Sequence, residues 1–209
     1  MSRLLNILIT EGYLKSDALI DAFSAIRREE FVPKEFAAEA ETNIPLPIGY
    51  GQTVSQPLTV AVMLELLDLR AGQKVLDVGS GSGWTSALMA HAVGETGHVV
   101  AVERIPELYE DGKRNIDKFG FVGMGRVKCV LGDGSDGFAE EAPYDRILVS
   151  ASAEELPQAY KDQLVVGGKM VIPVYNSLTY VEKRSEHDFY IERFPGFVFV
   201  PLIQKSTSF

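Results

Sequence analysis

Hydrophobic positions recur along this chain with two periods. Leu4, Leu5, Leu8 and Ile9 stand at helical spacing, and Gly12 ends that helix. Ser16 can cap a second helix, whose apolar face is Leu19, Ile20, Phe23 and Ile26. RREEFVP, residues 27–33, leaves the helix. NIPLPIGYG, residues 43–51, is rich in Pro and Gly yet apolar enough to need burial, which predicts an ordered loop. Pro57 suits the first turn of a third helix, with Val60, Ala61, Leu64 and Leu67 as its stripe. From there short apolar runs alternate with helical ones. Residues 75–78, 99–102, 126–131, 144–149 and 170–174 read as buried strands. Residues 87–90, 106–119 and 156–166 read as helices, the last closed by Gly167 and Gly168. Beyond that the helical period stops, and residues 179–184, 189–193 and 197–202 alternate like antiparallel strands.

This alternation predicts an α/β fold: a doubly wound, Rossmann-like sheet with an N-terminal helical cap and an antiparallel C-terminal edge. With 209 residues, 46% of them hydrophobic, the chain suits one domain with a full core. We expect that domain to span 1–209, with helices and a loop in 1–56 and the ligand-binding α/β core in 57–209.

Composition narrows the partners. A net charge of -9 repels phosphate backbones, so nucleic acid is a poor partner. The single cysteine, Cys129, excludes an internal disulfide framework and reads as a small buried hydrophobe. No apolar run approaches the length of a membrane span, and the first ten residues lack a basic leader. A cytoplasmic monomer is the expectation. No metal-ligand cluster is visible, and His91, His98 and His187 lie outside the ligand loops.

The chemistry centres on KVLDVGSGSGW, residues 74–84. An apolar strand broken only by Asp77 turns through Gly79, Ser80, Gly81 and Gly83 into a helix. Glycines admit a ligand close to the backbone, and the helix N-terminus offers free N–H groups. A tight structural turn is the bland alternative. Glu103 ends the next strand about 20 residues on, where an acid holds a ribose diol. At the third strand end, Asp133 with Gly134 is either a turn former or an acid and N–H meeting an adenine edge. Only one residue separates the second and third glycines, where a dinucleotide loop has two, and acidic Asp77 suits a cationic ligand better than a diphosphate. A sulfonium nucleoside is favoured over NAD. Ser55, just before Pro57, is either a helix N-cap or a group ready to hold an anion. The small residues Ser150, Ala151 and Ser152 leave room for a substrate.

These segments resemble the protein-L-isoaspartate (D-aspartate) O-methyltransferases, from about Leu14 to Leu202. The marks are REEFVP (28–33), PLPIGYGQTVSQP (45–57), VLDVGSGSGW (75–84), ERIPEL (103–108), GDGSDGFAEEAPYDRILVSA (132–151) and LPQAYKDQLVVGGKMVIPV (156–174). The resemblance implies a protein-repair enzyme that methylates the free α-carboxylate of L-isoaspartyl residues in damaged proteins and peptides. The ester then closes to a succinimide without the enzyme. It implies S-adenosyl-L-methionine as cofactor, with S-adenosyl-L-homocysteine as product. It makes Ser55 the active-site residue, with Thr53 and Val54 shaping the substrate pocket in the 1–56 region. Gly79, Ser80, Gly81 and Gly83 would line the methionine and ribose portions, Glu103 the ribose, and Asp133 with Gly134 the adenine. It also implies a rearranged order among the last strands. Leu58 departs from the His or Tyr of many relatives, and Ile203 from a frequent Thr. Those two departures motivate the alternatives, a changed acceptor or a non-catalytic binding module.

Overall fold

Helix α1 (Arg3–Thr10) is opened by Ser2, whose Oγ accepts the Leu5 N–H at 3.2 Å. Ser16 stands at the N-cap of α2 (Asp17–Ala25), yet its hydroxyl does not cap. It donates instead to Glu65 Oε1 at 3.0 Å, which also accepts the N–H groups of Lys15 and Ser16. A carboxylate from a neighbouring helix thus holds the two N–H groups just ahead of α2, while the N–H groups of Leu19 and Ile20 reach the Ser16 carbonyl. The computed structural model describes residues 2–203.

Two 3-10 turns, Arg28–Phe31 and Lys34–Glu39, lead into the Pro- and Gly-rich stretch. That stretch is more regular than a loop. Strands β1 (Leu46–Gly49) and β2 (Gln52–Val54) form a hairpin, turning at Tyr50 and Gly51, both with positive φ. Leu46, Ile48 and Val54 are buried beneath it, which is the burial its apolar residues required. Helix α3 (Pro57–Leu67) follows.

The frame is a seven-stranded sheet. Its parallel strands are β3 (Lys74–Val78), β4 (His98–Glu103), β5 (Val127–Leu131), β6 (Tyr144–Val149) and β7 (Leu164–Val174). β8 (Ser177–Lys183) and β9 (Phe189–Pro195) extend it antiparallel. The order is β5-β4-β3-β6-β7-β8-β9, so the last three strands lie side by side in chain order, without the rearrangement expected of them. β3 is flanked by parallel partners on both sides, which is why its run is apolar rather than alternating.

The two faces are covered unequally. α1, α2 and α3, with α4 (Trp84–Ala92) and α5 (Pro106–Asp117), share one core with Val75, Val99, Ala101, Leu148 and Val171. The opposite face holds Leu76, Val100, Val102, Ile147 and Met170. It is closed by the six-residue helix α6 (Gln158–Gln163), the 3-10 turn Ala139–Glu141 and the fully buried rings of Tyr144 and Tyr160.

Further expectations need correction. The helix expected over 156–166 is only α6; the chain is extended from Leu164, whose β-branched successors Val165 and Val166 join β7. A register shift follows, since Tyr144 pairs with Leu164 but Arg146 with Lys169. Residues 197–202 are not a sheet strand. Gly196, at φ +97°, turns the chain away from β9. The segment pairs with the loop after β6 instead: Ser152 N–H donates to Val200 O at 2.7 Å and Leu202 N–H to Ser152 O at 2.8 Å. Cys129 is half-buried rather than buried, and burial still pushes its thiol up to about 11. No helix among the described residues is long and apolar enough to cross a membrane.

Candidate active site

The C-terminal ends of β3, β4, β5 and β6 open into a cavity of about 330 Å³. This is the expected ligand position in an open α/β sheet, and the size lies in the range of roughly 300–1,000 Å³ for small-molecule sites. Most of the wall comes from the loops that follow those strands. The β1–β2 hairpin and residues 200–203 supply the remainder.

After β3, the chain turns so that the N–H groups of Gly79 and Ser80 donate to Val102 O, at 2.9 and 3.2 Å. Gly79, Ser80 and Gly81 line the cavity. A side chain at Gly81 (φ +54°) would stand 3.3 Å from Ile48 Cδ1, where the loop meets the hairpin. Gly83 does not reach the cavity wall. At φ +88°, it allows α4 to lie against α5, because a Cβ there would be 2.7 Å from Ile116 Cγ1 and 2.9 Å from Gly112 O. The third glycine of the loop is therefore a packing residue.

Asp77 is also behind the wall, fully buried at the end of β3. Its Oδ2 accepts from Thr85 Oγ1 at 2.8 Å and Ser86 Oγ at 2.6 Å; its Oδ1 has no hydrogen-bond partner among the described residues. Desolvation outweighs the two hydroxyl hydrogen bonds, and with a smaller push from Glu103 it raises the carboxyl to about 6. An unpaired buried carboxylate oxygen behind a glycine loop favours a cationic ligand and disfavours a diphosphate.

Glu103 stands in the wall, fixed by backbone donors. Its Oε2 accepts the Gly81 N–H at 2.9 Å, and its Oε1 accepts those of Arg104 and Ile105 at 2.8 and 2.9 Å. The carboxylate thereby joins the loops after β3 and β4 and keeps lone pairs for a hydroxylated ligand. Asp133 and Gly134 line the same cavity. Asp133 Oδ1 accepts the Ser135 N–H at 3.0 Å, and Gly134 O accepts from the Tyr160 hydroxyl at 2.9 Å. The turn-forming and ligand-facing readings of Asp133 are compatible: it does the first and borders the cavity.

Thr53, Val54 and Ser55 face this cavity from the hairpin. The N-cap of α3 is Gln56, which leaves Ser55 outside that role. Ser150 and Ala151 line the cavity too, and a Cβ at Gly79 would stand 3.9 Å from Ser150 Cβ. Leu58 is absent from the wall; its side chain packs on the larger core and its N–H donates to Asn43 Oδ1 at 2.9 Å. Ile203 does line the cavity, and its carbonyl accepts from Arg104 Nη1 at 3.3 Å.

Sequence reasoning missed the wall residues Ile48, Trp84, Ile105, Leu108 and Val200. Ile48, Trp84, Ile105 and Leu108 lie inside the motifs quoted above, so proximity to the glycine loop and Glu103 was an available signal. The histidines stay away from the cavity: His91 pairs with Asp21 at 2.7 Å and His98 Nδ1 lies 3.1 Å from Gly125 O. No group of three metal-ligating side chains occurs among the described residues.

The chain as a whole is similar to known proteins. The chain is 49% identical over 191 residues to a protein-L-isoaspartate O-methyltransferase of Methanothrix thermoacetophila, covering 91% of this chain and 90% of the relative. It is 46% identical over 205 residues to one from Methanopyrus kandleri, covering 96% and 90%. The crystal structure of a putative protein-L-isoaspartate O-methyltransferase from Plasmodium falciparum, in complex with S-adenosyl-L-homocysteine, superposes with a TM-score of 0.86 at 26% identity, covering 96% of both chains. The profile of one family, protein-L-isoaspartate(D-aspartate) O-methyltransferase (PCMT), matches residues 1–207. With the glycine loop, the acid that ends β4 and the serine that follows the hairpin gathered on one cavity, the chain belongs to the protein-L-isoaspartate(D-aspartate) O-methyltransferase family.

Proposed function

We propose that this cavity binds S-adenosyl-L-methionine and that its methyl group is transferred to the free α-carboxylate of L-isoaspartyl residues in damaged proteins and peptides. The observation that carries this reading is the shared wall: Ser55, Thr53 and Val54 border the same cavity as Gly79, Ser80, Gly81, Glu103, Asp133 and Gly134.

The residues present suit the cofactor. Glu103 is held so that its carboxylate can accept from ribose hydroxyls. Gly79, Ser80 and Gly81 would run along the methionine and ribose portions. Asp133 and the backbone of Gly134 would meet the adenine. Asp77 supplies negative charge behind the loop, which favours a cation in front of it. When bound, S-adenosyl-L-methionine supplies a methyl group activated by its sulfonium.

The acceptor needs no base. An α-carboxyl ionises near pH 3.3–3.7 in ordinary peptides, so it arrives charged at neutral pH. Ser55 would donate its hydroxyl proton as a hydrogen bond to that carboxylate and hold it in line with the methyl group. Thr53 and Val54 would fix its approach. The hairpin and residues 200–203 would exclude bulk water, in which a carboxylate is a poorer nucleophile. Positioning of this kind is worth ~7–11 kcal/mol in favourable systems. The unbound ester then leaves to close its own succinimide.

A cytoplasmic monomer completes the proposal; the single cysteine, which calls for no oxidising compartment, supports the location. Substitution of Ser55→Ala tests the central assignment. Removing a hydrogen bond to a charged group costs about 1.5–3 kcal/mol, so turnover of isoaspartyl peptide should fall by about 10- to 100-fold. The affinity for S-adenosyl-L-methionine, read by calorimetry, should stay within about threefold, a difference under 1 kcal/mol. Undiminished turnover would remove Ser55 from this role.

A further inference from the structure

Arg28 is almost fully buried, and no acidic side chain offsets its charge among the described residues. Burial lowers its guanidinium to about 10, so it stays charged at neutral pH. Every hydrogen bond that it makes runs to a backbone carbonyl. Nη1 donates to Ala40 O at 3.1 Å and Thr42 O at 3.3 Å. Nη2 donates to Ile44 O at 2.8 Å, Val54 O at 3.3 Å and Ser55 O at 3.1 Å. The guanidinium carbon also lies 5.5 Å from the ring centre of Trp84, the first residue after the glycine loop and part of the cavity wall.

Burying a charge without a counter-charge is unfavourable, and an apolar residue of similar volume is often no worse for stability. What a guanidinium supplies is geometry. Its planar fork reaches carbonyls from two separate segments at once, which an ammonium of three donors on one atom cannot match. Those segments are the entry to the hairpin and its exit, and the exit carries Ser55.

We propose that Arg28 is a positioning residue for methyl transfer: by clamping the Val54 and Ser55 carbonyls to those of residues 40–44, it sets where the Ser55 side chain stands in the cavity. This rests on the assignment of Ser55 made above. Arg28 itself lies outside the cavity wall and acts through the backbone.

The test is a double-mutant cycle in the full chain with Arg28→Lys, Ser55→Ala and the pair. Rates on isoaspartyl peptide are taken at saturating S-adenosyl-L-methionine and expressed per S-adenosyl-L-homocysteine-binding site, so an unfolded fraction does not mimic the effect. Arg28→Lys should lower kcat by about 10- to 100-fold, the scale of a misplaced reacting group, with cofactor affinity within about threefold. The double variant should be no slower than Ser55→Ala, because residues acting as one unit are not additive. Multiplying effects, or an unchanged kcat with only a lowered Tm, would overturn the proposal. An unchanged kcat in Ser55→Ala alone would instead sink the serine assignment. Should Arg28→Lys fail to fold, Arg28→Met replaces it; failure of both to yield binding sites makes Arg28 a folding residue and overturns the positioning role.

Discussion

Asp77 links burial to ligand charge at the scale of one residue. Its carboxyl is raised to about 6, chiefly by desolvation, and one oxygen is unpaired. A folded-state value above the unfolded one means that the ionised form opposes folding. The stabilising contribution of the protonated form is fully present below the unfolded value of 3.8 and is lost as pH rises through about 6. A cationic ligand has the opposite preference, because it binds the ionised form. Affinity for S-adenosyl-L-methionine should therefore weaken as pH falls below about 6, approaching about tenfold per pH unit. Calorimetric titration between pH 5 and pH 8, at roughly constant ionic strength, checks this. Asp77→Asn should abolish that pH dependence and weaken binding at pH 8 without lowering Tm, since it removes an unpaired buried charge. A flat affinity profile in the native protein would contradict this role for Asp77.

At the scale of elements, the close approach of α4 and α5 rests on glycine. Gly83→Ala must accommodate a Cβ 2.7 Å from Ile116 Cγ1 at a positive φ. Overpacking of this kind costs about 1–3 kcal/mol, with the unfavourable backbone conformation adding to it. Chemical denaturation should register that loss, and an unchanged midpoint would show that the contact relaxes freely. Much of the element pattern was legible in the sequence. β3, β4 and β6 are short apolar runs bounded by turns, and burial on both faces leaves little else for such runs to be. The cavity-lining residues Glu103 and Asp133 were legible because each ends or follows a strand.

The remainder was set by contacts that local pattern does not record. The stretch from Leu156 reads as helical on spacing alone, but Leu164 pairs with Tyr144 and takes the chain into β7. Phe197 and Phe199 alternate as in a strand, yet the hydrogen bonds of Ser152 draw that segment over the cavity. Pro45, Pro47 and Gly51 disguised a hairpin as a loop. Gly83 belongs to the glycine motif by spacing, but Gly112 and Ile116, nearly thirty residues or more away, assign it to packing. Arg28 opens the quoted REEFVP, but nothing there marked it as a clamp, since its partners are carbonyls that any residue carries.

For the whole molecule, uneven layering explains where chemistry sits. One face of the sheet carries α1 to α5 and anchors the hairpin, while the other is closed by short elements and two buried tyrosines. The strand ends between them remain open, and residues 200–203 return across that opening. In the function proposed above, the cofactor meets the loops that follow the strands and the acceptor meets the hairpin. The family's reaction requires both on one cavity. The most direct measurement is methyl transfer from labelled S-adenosyl-L-methionine to two peptides that differ only in carrying isoaspartate or normal aspartate. The account predicts label on the isoaspartyl peptide alone. Label on neither peptide, with cofactor binding confirmed on the same preparation, would contradict it.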